Sequence, residues 1–217
     1  MDSANQHLQQ LTEIRSIMER STQFLSLSGL SGVFIGVFAL VGAGLAQWHL
    51  STHMPGDLLD YTGASRWWPG SSTILFLVVD ALIVLGLALI TATYFTWRKA
   101  KRDGQKLFDP VALRLGFSMM IPLATGGLFC LILLNYHLAG LVAPVTLLFY
   151  GLALINGSKY TLPEIWWLGV SEVVLGLVAC LMLGHALIFW AIGFGLLHIV
   201  YGLVMYYRYE RPGSAQS

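Results

Sequence analysis

Six long apolar runs separated by short polar stretches dominate the chain, at about 24–48, 73–97, 112–136, 138–155, 165–183 and 187–207. Crossing a hydrocarbon core of about 30 Å takes roughly 20 mostly apolar residues of helix, and each run meets or approaches that length. The connections after the third and fifth runs, "NYHLAG" and "LGHAL", are very short, so the helices on either side must fold back as tight antiparallel hairpins. The pattern predicts an all-α polytopic membrane protein: six transmembrane helices arranged as three antiparallel hairpins.

The polar stretches divide the rest of the chain. Within residues 4–22, Leu8, Leu11, Ile14 and Met18 recur at steps of three and four among Glu13, Arg15, Glu19 and Arg20. That is an amphipathic helix, suited to lie on the membrane surface, cover a neighbouring loop or dock a partner. The expected organisation is an amphipathic helix over 1–22, a six-helix membrane domain over 23–207 and a short tail over 208–217. Asp109 before Pro110 starts the third span, and Pro163 with Glu164 starts the fifth. The long connection over 49–72 holds Trp67 and Trp68, which suit an anchor at headgroup level.

Composition agrees and removes soluble classes. Of 217 residues, 56% are hydrophobic and only 11% charged, with mean hydropathy +0.70, far too apolar for a soluble domain of this size. The net charge of +1 conceals an asymmetry, because "RKAKRDGQKLFDP" alone carries Arg98, Lys99, Lys101, Arg102 and Lys106. Cationic loops stay in the cytoplasm, so six alternating spans place both termini there, in the inner (plasma) membrane. Anionic lipid accounts for the same cations, and nucleic acid is not an expected partner. The partners considered are the lipid bilayer, a further protein and a homo-oligomer. The first run begins near residue 24 and is longer than the apolar core of a signal peptide, so it is expected to be retained. Cys130 and Cys180 suit inert packing.

Self-similarity runs through the apolar segments. "SGVFIGVFAL" from Ser31 aligns without gaps with "SEVVLGLVAC" from Ser171; "LGFS" ending at Ser118 matches "LGVS" ending at Ser171; "YGL" recurs at Tyr150 and Tyr201. The hairpins then resemble three units of one orientation, each with a serine towards the cytoplasmic side and a histidine, His49, His137 or His185, near the other. Small residues such as Ser28, Gly32, Gly36, Gly193, Gly195 and Gly202 suit close helix packing. The stretch "EIRSIMERSTQFLSLSGLSG", residues 13–32, resembles the start of uncharacterised six-span bacterial inner-membrane proteins. That resemblance implies a compartment and assigns no residue a role.

Candidate chemistry lies in the polar groups inside the spans. An ionised carboxylate at mid-membrane costs about 3 kcal/mol on insertion scales, so Glu172 should face the bundle and be paired or protonated. At 1.5 Å per residue it lies about 10 Å inside its boundary and His198, on the next antiparallel helix, about 13 Å, so the two are expected to meet. Asp80 sits in the opposite half of the membrane. Arg114 is near enough to a boundary to snorkel. Together with Ser171, Ser31 and Ser118, the three groups Glu172, His198 and Asp80 could line an axial polar pathway. No cofactor is predicted; zinc or another transition metal, on His49, His137 and His185, is a minor reading. In the absence of a recognisable catalytic motif, the leading function is a regulatory, sensory or assembly subunit acting through partners. A small transporter or channel comes second, and an intramembrane metal or acid–base enzyme third.

Overall fold

The computed structural model describes residues 28–53, 71–102, 104 and 110–210. Six helices are long and apolar enough to cross a membrane: α1 Gly29–His53, α2 Ser71–Arg102, α3 Pro110–Asn135, α4 Ala139–Tyr160, α5 Glu164–Leu181 and α6 Leu183–Tyr209. No strand occurs among the described residues, and the protein is an all-α, multi-pass membrane protein. The amphipathic pattern over 1–22, the tryptophans Trp67 and Trp68 and the tail beyond Glu210 lie outside the described residues.

Two helices outrun their apolar cores. Helix α1 continues past Trp48 to His53, and α2 continues past Trp97 through Arg98, Lys99, Ala100, Lys101 and Arg102. Alanine, lysine and arginine are good helix formers, and cations suit a helix C-terminus, so nothing local ends α2 where hydrophobicity does.

Helix α2 packs on α1, α1 on α6, α6 against α4 and α5, and α4 against α5 and α3. The bundle is therefore an open series whose two ends are α2 and α3, which follow one another in sequence yet share at most a marginal contact. Exposure follows this order. Of the most apolar window, 11% is buried in α2 and 17% in α3, against 22% in α6 and 33–39% in α1, α4 and α5.

Glycines set the two closest joints. A Cβ on Gly151 of α4 would stand 2.6 Å from Gly169 O of α5, and one on Gly169 would stand 2.8 Å from Gly151 O. Between α6 and α1, a Cβ on Gly202 would stand 2.7 Å from Gly29 O and one on Gly29 would collide with Gly202 O. Lipid and leucine are equally apolar, so membrane helices associate where small residues let backbones touch, and these joints are built that way.

Side chains fasten the end of the bundle that carries the α2 cations. Glu210, just beyond α6, accepts from Gly29 N at 2.6 Å and from Ser28 Oγ at 3.2 Å, and stands 3.6 Å from Lys99 Nζ. One carboxylate thus caps the exposed amides of α1, where the helix dipole favours an anion, and ties α2 to the same point. Nearby, Arg208 Nη1 and Tyr209 Oη donate to Glu164 at 2.7 and 2.9 Å. Substituting Glu210 by Ala should cost about 1–2 kcal/mol and speed hydrogen–deuterium exchange in the first turn of α1. Unchanged exchange there would show that the cap does not form.

Helix α3 contains Pro122, which has no N–H to offer the carbonyl four residues back, that of Ser118. Asn156 of α4 supplies the missing donor: its Nδ2 donates to Ser118 O at 2.7 Å, and Ser118 Oγ donates to Asn156 O at 3.1 Å. A proline that would leave an unpaired carbonyl in lipid instead creates a specific link between α3 and α4.

Candidate functional site

Helices α4, α5 and α6 meet around a polar cluster. Glu172 of α5 is 0% exposed and His198 of α6 is 5% exposed. The first lies directly before Val173, which packs on Gly151, so the glycine joint between α4 and α5 carries the carboxyl group into the bundle. The second follows a π-helical stretch, Ala191–Leu197. Such widened turns change which carbonyls the backbone can satisfy and often occur at functional sites. Gly193 within it leaves room for the acid: a Cβ there would collide with Glu172 Oε2 and with Leu147 of α4.

His198 makes two short contacts, with Gly193 O from Nδ1 at 3.0 Å and with Tyr150 Oη from Nε2 at 2.8 Å. A carbonyl only accepts, so Nδ1 carries hydrogen; in the neutral ring Nε2 is then the acceptor and Tyr150 the donor. Both ring nitrogens are satisfied without the acid. Glu172 Oε1 stands 3.5 Å from Nδ1, beyond the nearer carbonyl, and neither carboxyl oxygen has a hydrogen-bond partner among the described residues.

A lone buried charge is costly, which leaves two electroneutral arrangements. Either Glu172 keeps its proton beside neutral His198, or a carboxylate faces an imidazolium and Nε2 donates to Tyr150 instead. The rings of Trp190 and Phe194, 5.0 Å apart, and of Phe194 and Tyr150, 4.9 Å apart, wall the cluster with aromatic surface. The arrangement can hold a proton or exchange one between acid and imidazole.

The remaining candidates lie apart from it. Asp80 is half-buried on α2 facing α1, where a Cβ on Gly42 would stand 3.4 Å from its Oδ2. Helices α1 and α6 intervene between it and Glu172, so the axial pathway through Glu172, His198 and Asp80 is not assembled among the described residues. The serines bond to nearby backbone: Ser31 Oγ to Ser28 O at 2.6 Å, Ser171 Oγ to Trp167 O at 2.9 Å, and Ser118 as described above.

The histidines near the opposite end serve local structure. His49 stacks on Phe76 of α2, with centroids 3.9 Å apart, and on His53 at 4.1 Å. His137 takes the left-handed conformation, φ 62°, that ends α3: its N–H donates to Leu134 O at 3.1 Å while Leu138 N donates to Leu133 O at 2.9 Å, the hydrogen-bond pair of a Schellman cap. His185 lies in the turn that opens α6. No three or more His, Cys, Asp or Glu side chains group closely enough to hold a metal among the described residues. Cys130 is buried with Leu133 and Val145, which fits packing.

The sequence reasoning did not single out Tyr150 as a polar partner, nor Asn156, Glu164 or Glu210. Tyr150 carried a signal, a phenol inside an apolar span one helix away from a buried histidine. The other three lie near helix ends, where polar residues are common. The chain matches no protein-family profile, no curated protein and no solved structure.

Proposed function

We propose that the protein is a regulatory, sensory or assembly subunit of the inner (plasma) membrane, with both termini in the cytoplasm, that works by contact with protein partners. The observation that carries this reading is the open order of the bundle, which leaves α2 and α3 each packed mainly on one neighbour among the described residues. Helix α2 spans 32 residues, about 48 Å at 1.5 Å per residue, and so exceeds a core of about 30 Å. Its surplus bears exposed Trp97 and Arg98, with Lys101 Nζ 5.4 Å from the Trp97 ring centroid. Aromatic and cationic surface of this kind suits a contact at the membrane boundary, and its charge favours the cytoplasmic side.

Extraction of the tagged chain from its own membrane into lipid nanodiscs, followed by native mass spectrometry, tests the reading. The expected result is a stoichiometric complex that Trp97→Ala or Phe117→Ala weakens. A lone chain that by itself carries ions or protons across a vesicle wall would overturn it in favour of a small transporter. That second reading is favoured by one observation, the buried carboxyl group of Glu172 with neither oxygen hydrogen-bonded among the described residues. For a proton carrier, Glu172→Gln should abolish the flux while leaving the fold intact.

A further inference from the structure

The two glycine joints share one plan. Gly151 meets Gly169 and Val173, and Gly202 meets Gly29 and Val33; Gly169 meets Ile155, and Gly29 meets Tyr206. A shift of 51 residues turns every α4 position in the first joint into the α6 position of the second. A shift of 140 in the other direction turns every α5 position into that of α1. These are the same shifts by which Tyr150 matches Tyr201 and Ser171 matches Ser31 in the sequence. In each joint the second helix of one hairpin lies across a glycine in the first helix of the next.

Helix α3 carries the third copy of that glycine. Ser118 aligns with Ser171 and Ser31, which places Gly116 opposite Gly169 and Gly29. Yet no neighbour lies within 4 Å of a Cβ built on Gly116 among the described residues. The residues around it are bare, with Phe117 74% and Ile121 71% exposed. By the order of the other joints the helix that belongs there is α2, but α2 is held against α1 through Phe95 stacked on Phe34 at 5.4 Å and Lys99 fastened to Glu210.

Helix α2 has a matching vacancy. Leu89, Ile90, Thr93, Tyr94 and Trp97 form an open, almost wholly apolar strip along one face of α2. Arg102 ends α2 and Pro110 begins α3, so distances along each helix can be counted from them. The strip lies about 8–20 Å from Arg102, and Gly116 to Ile121 lie about 9–17 Å from Pro110. The two faces lie at similar distances along their helices from the 102–110 connection.

We propose that a second copy of this chain completes the third joint, α3 of each protomer receiving α2 of the other in a two-fold dimer. A two-fold arrangement fills both vacancies on both chains with one kind of contact and then closes, leaving no free end for further assembly. The proposal rests on the partner-contact reading above and names the partner.

The test uses the full chain in lipid nanodiscs with Cys130→Ala and Cys180→Ala as background. One tagged copy carries Phe117→Cys and a differently tagged copy Tyr94→Cys, mixed before oxidation. The expected product is a covalent dimer bearing both tags, with native mass spectrometry of the parent chain giving two copies. Gly116→Leu should weaken dimerisation about tenfold, equivalent to about 1.4 kcal/mol at a close helix crossing.

Three results would overturn the dimer. One is a monomer with no cross-link beyond that of a control pair about 20 Å apart in distance along the helices, Leu131→Cys with Tyr94→Cys. Another is a Phe117 to Tyr94 bond formed within a single chain carrying both substitutions, which would mean α2 closes on its own α3. The third is a monomeric chain bound to a different protein through α3, which would sink the dimer and leave the partner-contact reading standing. A lone monomer in the native membrane would remove both.

Discussion

Isoleucine at Gly151 should force α4 and α5 apart, at a cost of about 3 kcal/mol or more, because its side chain would have to occupy the place of the Gly169 carbonyl and the Val173 amide. Backbone atoms of a helix cannot swing aside as a side chain can, so the whole crossing must open. Gly202→Ile should do the same between α6 and α1. In thermal unfolding in detergent each substitution should lower the midpoint by roughly 6–12 °C, taking 2–4 °C per kcal/mol for a chain of this size. The control is Gly44 of α1, where no neighbour lies within 4 Å of a built Cβ among the described residues. Gly44→Ala should instead stabilise by about 0.5–1 kcal/mol, because alanine loses less backbone entropy in a helix. If all three variants melted together, the joints would not be in backbone contact.

The second large effect is expected at His198. Replacement by Leu strips the partners from Tyr150 Oη and Gly193 O together and leaves Glu172 buried beside hydrocarbon, so about 3–5 kcal/mol should be lost. Tyr150→Phe, which deletes a single hydrogen bond, should cost about 1 kcal/mol. Combining His198→Leu with Glu172→Leu should recover part of the loss, since two apolar groups need no partner where one buried acid does. A double-mutant cycle from denaturant unfolding in bicelles measures this; strictly additive losses would mean that the acid and the imidazole do not interact.

How far the sequence alone reached depended on which physical force set each feature. The spans were legible because hydrocarbon imposes length and hydropathy directly, and α2 overran its expected end at Trp97 because helix formation in "RKAKR" needs no lipid. The approach of Glu172 to His198 was legible from rise per residue, because adjacent antiparallel helices share a depth scale. Which face each helix turns inward was less so. A leucine gains as much from lipid as from a neighbouring helix, so apolar periodicity does not point to the partner. Asp80 shows the limit: counting along the helix assigns it to the other half of the membrane, but only the packing order shows α1 and α6 standing between it and Glu172. Asn156 was invisible for a related reason, since its importance depends on Pro122 in another helix having left a carbonyl without a donor.

The cap on α1 also constrains how the protein is made. Ser28 and Glu210 are separated by 182 positions, and the glycine face of α1 is covered by α6, which leaves the ribosome long after it. During synthesis α1 therefore enters the bilayer with its α6-facing surface and leading amides uncovered, and waits through the insertion of five further helices. A change at Glu210 would therefore be felt in the first turn of α1, 181 positions earlier in the chain.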